Sequence, residues 1–265
     1  MGNIYKQPIT LDKQIEHLKE HKNVVFNEVS EEEAKKFLYL HNYINVITPF
    51  KFYFCEKEKD ATLRKSENGS YIYPTPVEFS VYVFKYNQER SKYQNIYNNI
   101  RIFEDAIGSI VTYEILNKYN LNSEESFDSF QLALYKNIEE SNYSEDAKKH
   151  MKSTVKGLKK RIEQTNSIIL MFDRLSLPEL IMLYRVSDVS IKEKTFNALK
   201  KEGLTWGHPD QKNFDEDLSR LVYIRNCISH NNSLTILLNY HDVKTNDRRK
   251  RSEKKKYSTL IKKLQ

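Results

Sequence analysis

The sequence predicts an all-α fold, and three observations carry that expectation. Glycine and proline are scarce, at six each in 265 residues, against average usage of roughly 7% and 5%. Apolar residues recur three and four apart over much of the chain, the spacing of a helix with one buried face. Ser, Thr and Asn stand just before several of these stretches, where a side-chain oxygen can cap the first free amides. Hydrophobic residues at 39% suffice for a core, and 30% charged residues suit exposed helix faces. The length admits one large domain or two small ones.

In order along the chain, Thr10 is a candidate N-cap for ITLDKQIEHLKEHKN, with Leu11, Ile15 and Leu18 as its apolar stripe. Ser30 followed by Glu33 has the form of a capping box for EEEAKKFLYLHNY. INVITPFKFYF is rich in β-branched and aromatic residues, and periodicity leaves it between a short strand and an apolar loop. Residues 56–76 combine a charge run, Asn68-Gly69, Pro74 and Pro76, which fits a hairpin or a mobile loop. A long helical stretch follows Pro76, marked by Phe79, Val83, Tyr86, Ile96, Ile100, Phe103, Ile107, Ile110, Val111 and Leu116, with a break expected in the polar Asn87–Asn99 segment and another near Asn120.

Residues 144–172 are expected to form one helix capped by Ser144. Its lysines recur at Lys148, Lys152, Lys156 and Lys159, with Lys149, Lys160 and Arg161 beside them, and no acid interrupts 148–161. Two readings stand: a solvated helix face, or a stripe that follows RNA phosphates. Pro178 fits the first turn of LPELIMLYRVS behind Ser176. Ser190 is expected to start a further helix, and Asn213 the last major one, FDEDLSRLVYIRNCISHN. In the tail, Tyr257, Leu260, Ile261 and Leu264 have the spacing of a short amphipathic helix.

The net charge of +7 is concentrated at one end. Lys244 to Gln265 alone carries +8, so the residues before it sum to −1, and bulk charge gives little support for a nucleic-acid partner. Arg248, Arg249 and Arg251 in this tail are candidate phosphate contacts, against the alternative of a solvated end. Cys55 and Cys227 have no CxxC partner, and the polar start MGNIYKQPITLDKQ has no apolar signal segment. Reduced thiols and a cytoplasmic location are therefore expected. No membrane span is expected, and the context after Gly2 does not favour acylation. Phosphate-binding glycine loops, HExxH and GxSxG are absent. His17 and His21 share a helix face, but their flanking lysines favour a solvated face, and no metal or cofactor is expected.

The chemistry-bearing candidate is RNCISHNN, residues 225–232. A bare Arg-x4-His pair arises by chance about 0.3 times given eleven Arg and seven His, so its context must carry the reading. Asn226 and His230 are one turn apart on a shared face, and Arg225 lies ~140° from His230 around the axis. A two-fold dimer brings two such patches around one pocket. The residue types suit cleavage of RNA through its own 2′-OH. That reaction needs a proton acceptor, a proton donor and a cation, and no metal. Histidine performs either proton job near neutral pH. Arginine supplies a planar, permanent phosphate contact, and Asn226 is placed to orient the histidine or a phosphate.

RNCISHNN resembles the signature of the HEPN ribonucleases, and the chain as a whole resembles the Abi-like abortive-infection proteins (the AbiD/AbiF group). ITLDKQIEHLKEHKNVVF, KFLYLHNYINVITPFKFYF, RLSLPELIMLYRVSD and LSRLVYIRNCISHNN occur in that family's order and cover most of residues 9–240. The resemblance implies a HEPN-type helical bundle over 77–240, additional N-terminal helices over 1–76, and a basic tail over 241–265. It implies a metal-independent endoribonuclease acting as a toxin in phage defence, a homodimer, and control by a neighbouring small RNA. Arg225, Asn226 and His230 carry over as catalytic residues. The family's acidic residue is less clear: Ile110-Val111 stands where an Ile-Glu pair is expected, with Glu104, Asp105 or Glu114 as substitutes. The alternative is a non-catalytic HEPN-fold module that binds RNA or protein.

Overall fold

The computed structural model describes residues 10–58, 63–230, 232–235 and 248–265, with the side chains of 248–251 outside that set. Among the described residues helix makes up 74% and strand 3%, an all-α fold. The chain divides into two compact units. The first takes its described residues from 1–97 and 224–263, with Gln265; the second takes 98–223, with Leu264.

In the first unit, Leu11–Lys22 (α1) begins where the Thr10 hydroxyl accepts from the Lys13 amide at 3.4 Å, and ends at Asn23 in the left-handed conformation. Val24–Val25 (β1) follows. Glu31–His41 (α2) starts with the full Ser30–Glu33 capping box. The apolar run after it is helical rather than extended: Tyr43–Val46 (α3), a 3₁₀ turn over Thr48–Phe50, and Lys51–Phe54 (α4). The Asn42 side chain starts this series by accepting from the Ile44 amide at 3.0 Å, and Pro49 sits where a 3₁₀ turn needs no amide. Val46, Ile47 and Phe50 thereby turn into the core.

Among the described residues of 56–58 and 63–72, isolated bridges join Lys57 to Leu63 and Lys65 to Tyr71, and 64–72 makes a tight turn. This turn closes through the Gly69 amide to the Ser66 carbonyl, and Gly69 at φ +83° occupies a conformation that favours glycine. Lys22, mostly buried, donates to the Tyr73 hydroxyl at 2.8 Å, and burial pulls its ammonium pKa down. Val77–Glu78 (β2) pairs in parallel with β1, Val24 opposite Val77. This pairing runs across the sequence boundary expected at 76/77.

Phe79–Tyr119 (α5) is one unbroken helix of 41 residues, without the expected interruption in 87–99. The reason is its stripe: Tyr86, Glu89, Tyr93, Ile96 and Ile100 are all buried at three- and four-residue spacing. Apparent polarity in the sequence lay on the opposite face. Near the helix start, Phe79 stacks on Phe26 and meets Phe37 edge-on.

The second unit contains the rest of α5, from Asn98 onward. Asn120, at φ +46°, ends the helix, and Ser123 starts Glu124–Glu140 (α6). Ser144 caps Glu145–Thr165 (α7) as expected, but left-handed Asn166 ends it. Ile168–Asp173 (α8) is separate, so 144–172 is two helices, not one. Leu177–Val186 (α9), with Pro178 in its first turn, is buried nearly all round and is the unit's central helix. Gly108 of α5 faces it so closely that a Cβ would stand 3.3 Å from Leu180. Val189–Lys201 (α10) is preceded by Asp188 rather than Ser190. Asp188 accepts from the Tyr119 hydroxyl at 2.6 Å and pairs with Lys118 at 2.6 Å, tying the end of α5 to the α9–α10 junction.

Gln211–Ser229 (α11) starts two residues earlier than expected, with Asp210 accepting from the Asn213 amide at 2.9 Å. His208 Nε2 lies 2.9 Å from one Asp217 oxygen and Arg220 donates to the other at 2.6 Å, fixing the preceding loop to this helix. From Ile224 onward α11 belongs to the first unit. Arg248–Lys263 (α12) is the amphipathic tail helix, with Leu260, Ile261 and Leu264 buried as their spacing implied.

Arg161 and Glu179 form a two-pronged pair inside the second unit, and Ser176 also donates to Glu179. Burial pushes the Glu179 carboxyl up, but the Arg161 and Ser176 hydrogen bonds outweigh it, and the pKa falls below its ordinary 4.5. A carboxylate depressed in the fold stabilises above its unfolded value and loses that contribution as pH falls through the folded one. Glu179→Gln, which keeps a helix-starting side chain, is expected to cost about 1 kcal/mol at pH 7, discounted for the partial exposure of Arg161. Urea unfolding should show this difference shrinking below about pH 4; a constant difference from pH 7 to pH 3 contradicts the pairing.

Candidate active site

The last turn of α11 carries Arg225, Asn226 and His230. Ile224 and Cys227 face the core, which fixes the rotation of the helix and so the direction of its polar residues. The His230 amide donates to the Asn226 carbonyl at 3.0 Å, so helical geometry extends through His230. The Asn232 amide then reaches back to the Cys227 carbonyl at 2.7 Å, the six-to-one bond that closes a helix C-terminus. His230 therefore stands at the very end of the helix.

The three side chains differ in how they are held. Arg225 is half-buried and donates to the Asn226 side-chain oxygen at 3.4 Å. Asn226 is half-buried as well. His230 is exposed, and its imidazole makes no hydrogen bond or ion pair among the described residues. The last turn thus carries a half-buried guanidinium and, on a different side of the helix, an exposed imidazole. Their ~140° separation around the axis persists, because the helix does not unwind before His230.

The structure adds residues that sequence reasoning missed. Glu89 of α5 is buried and accepts from the Ser233 hydroxyl at 2.7 Å and the Thr235 amide at 2.8 Å. The Tyr93 hydroxyl accepts from the Leu234 amide. Burial, with the Glu89 carboxylate beside it, pushes the Tyr93 hydroxyl far up, so it stays protonated. These contacts clamp the chain just after His230 to α5. The available signal was a carboxylate placed at core spacing between Tyr86 and Tyr93.

No family model, curated protein or solved structure matches this chain. The site's interpretation rests on its residues and their geometry.

The expected RNA-binding stripe on α7 is largely committed elsewhere. Lys148 pairs with Glu145 at 3.3 Å and donates to the Glu139 carbonyl; Lys152 pairs with Glu139; Lys159 pairs with Glu124 at 2.7 Å and Asp128 at 3.3 Å; Arg161 pairs with Glu179. Most of these acids lie on the neighbouring α6, which is why the stretch 148–161 looked unbalanced when read alone. Lys149, Lys156 and Lys160 are exposed and make no ion pair among the described residues. The side chains of Arg248, Arg249 and Arg251 lie outside the described residues. Of the acidic substitutes, Glu104 accepts from the Leu177 amide at 3.1 Å, Glu114 pairs with Lys194 at 3.1 Å, and Asp105 is exposed beside Arg101.

Glu89→Ala removes the acceptor shared by Ser233 and Thr235 and is expected to destabilise by about 2–3 kcal/mol. Hydrogen exchange at the Leu234 and Thr235 amides should accelerate in this variant, and unchanged protection there would show that the clamp does not hold the segment.

Proposed function

We propose that this chain is a metal-independent endoribonuclease with Arg225, Asn226 and His230 at its site. The observation that carries the reading is that one helix end, the last turn of α11, holds both an exposed imidazole and a half-buried guanidinium. A solvated helix end has no need of a part-buried arginine held beside an asparagine.

The chemistry follows from RNA itself. A base takes the proton from a 2′-OH, and that oxygen attacks the adjacent phosphorus. The bond to the 5′-oxygen breaks, and an acid returns a proton to it. The products are a 2′,3′-cyclic phosphate and a 5′-hydroxyl, and the charge developing on the phosphoryl oxygens needs a cation. His230 performs one proton transfer and Arg225 holds the phosphate. A homodimer supplies a second imidazole and guanidinium for the other transfer, which accounts for the ~140° separation in a single chain. Within this reading the protein is a toxin of phage defence, made silent by a small RNA until infection. No helix among the described residues is long and apolar enough to cross a membrane.

Purified protein is expected to fragment RNA in the presence of EDTA. His230→Ala and Arg225→Ala, folded by circular dichroism, should lose at least about 10²-fold of that activity, the usual worth of one proton-transfer or charge-stabilising group. Equal cleavage by both variants and the parent would place the activity elsewhere.

A further inference from the structure

Three lysines of the first unit contrast with the acid-paired lysines of α7. Lys51 lies 4.6 Å from the Tyr71 ring centroid and 5.4 Å from that of Phe52, and Lys65 lies 5.1 Å from the Tyr71 centroid. Lys85 lies 5.0 Å from the Tyr53 centroid. None of these lysines makes an ion pair among the described residues; each is held by a ring instead of an acid. Lys51 and Tyr53 both lie on the short helix α4 but about 200° apart around its axis, so Tyr53 with Lys85 forms a face of its own. Tyr53 is 57% exposed, leaving much of its ring open to a ligand.

A cavity of about 180 Å³ opens on this face, lined by Phe50, Tyr53, Lys85, Gln88, Lys92 and Thr235 among others. Lys85, Gln88 and Lys92 are three and four apart on α5, so they line one edge of it in register. Glu89 also borders the cavity, but its oxygens are taken by Ser233 and Thr235. Thr235 is five residues past His230, on the clamped segment, so the cavity adjoins the chain that leaves the candidate site.

We propose that this face binds an unpaired RNA strand, one base lying in the cavity against Tyr53 and its flanking phosphates on Lys85 and Lys92. Interleaved aromatic rings and uncommitted ammonium groups are what an unstacked strand requires: a platform for each base and a cation for each phosphate. A duplex offers no open base faces to such a surface. The Gln88 amide, with both donor and acceptor, is placed to read a base edge. The choice of RNA rests on the ribonuclease reading; the binding face itself does not.

The test uses full-length protein carrying His230→Ala, so that the probe stays intact, and measures anisotropy of a short unstructured fluorescent RNA. Tyr53→Ala is expected to weaken binding about ten-fold, with Tyr53→Phe binding like the parent. The double substitution Lys85→Gln, Lys92→Gln should weaken it further and flatten the salt dependence by about 1.4 in log–log slope, the value for two single-strand phosphates. Unchanged binding by both sets of variants overturns the proposal, as does equal affinity for a blunt duplex of the same sequence. Because cleavage is not read, failure here and failure of the nuclease reading are separate outcomes.

Discussion

From Phe79 to Ile115 the buried residues of α5 fall three or four apart without a gap, and both compact units draw on that stripe for their cores. An isolated helix gains little from backbone bonds alone, so a helix of this length persists because its face is packed throughout. Breaking it in 87–99 would expose Tyr86, Tyr93 and Ile96 and leave Glu89 without its fixed position. That carboxylate is the one charged group in the middle of the stripe, and it is buried because Ser233 and Thr235 occupy its oxygens. Helix continuity and the placement of the chain after His230 are thus one constraint. The helix must stay whole for the clamp to form, and the clamp accounts for a carboxylate at a core position.

Charge in this molecule divides into spent and unspent groups. The α7 lysines are largely spent on the carboxylates of α6, where they register two antiparallel helices against each other. Pairs of this kind on an exposed seam contribute little individually, and Lys149, Lys156 and Lys160 of the same helix make no ion pair among the described residues. Lys51, Lys65 and Lys85 are instead seated on rings, and the His230 imidazole makes no hydrogen bond or ion pair among the described residues. Function is expected where charge is left over after folding, and in the first unit that is the end of α11 and the aromatic face of α4 and α5.

Local chemistry made much of the fold legible in the sequence. Thr10, Ser30 with Glu33, Ser144, and Ser176 with Pro178 announced helix starts through side chains that act within one turn. The buried stripe of the tail helix followed from spacing, as, in large part, did that of α5 outside the 87–99 segment. What stayed hidden depended on contacts distant in sequence. INVITPFKFYF folds as short helices because Asn42 and Pro49 set turns and Phe50 is drawn into a core built largely by other segments. Asn166 ends α7 in a left-handed conformation that its neighbours in sequence did not mark. In the candidate site, Arg225, Asn226 and His230 could be named from their spacing. Glu89 and Tyr93 lie more than a hundred residues earlier and could be linked to that segment only by the fold.

The central claim is that the end of α11 promotes attack by the RNA's own 2′-oxygen. The most direct measurement is the chemistry of the cut ends, read by mass spectrometry on a defined RNA treated with the purified protein. The account predicts a 2′,3′-cyclic phosphate, or the monophosphate formed by its opening, on one fragment and a 5′-hydroxyl on the other. A 5′-phosphate with a free 3′-hydroxyl would contradict it, because those ends require water or hydroxide as the nucleophile and leave Arg225 and His230 without the roles assigned to them.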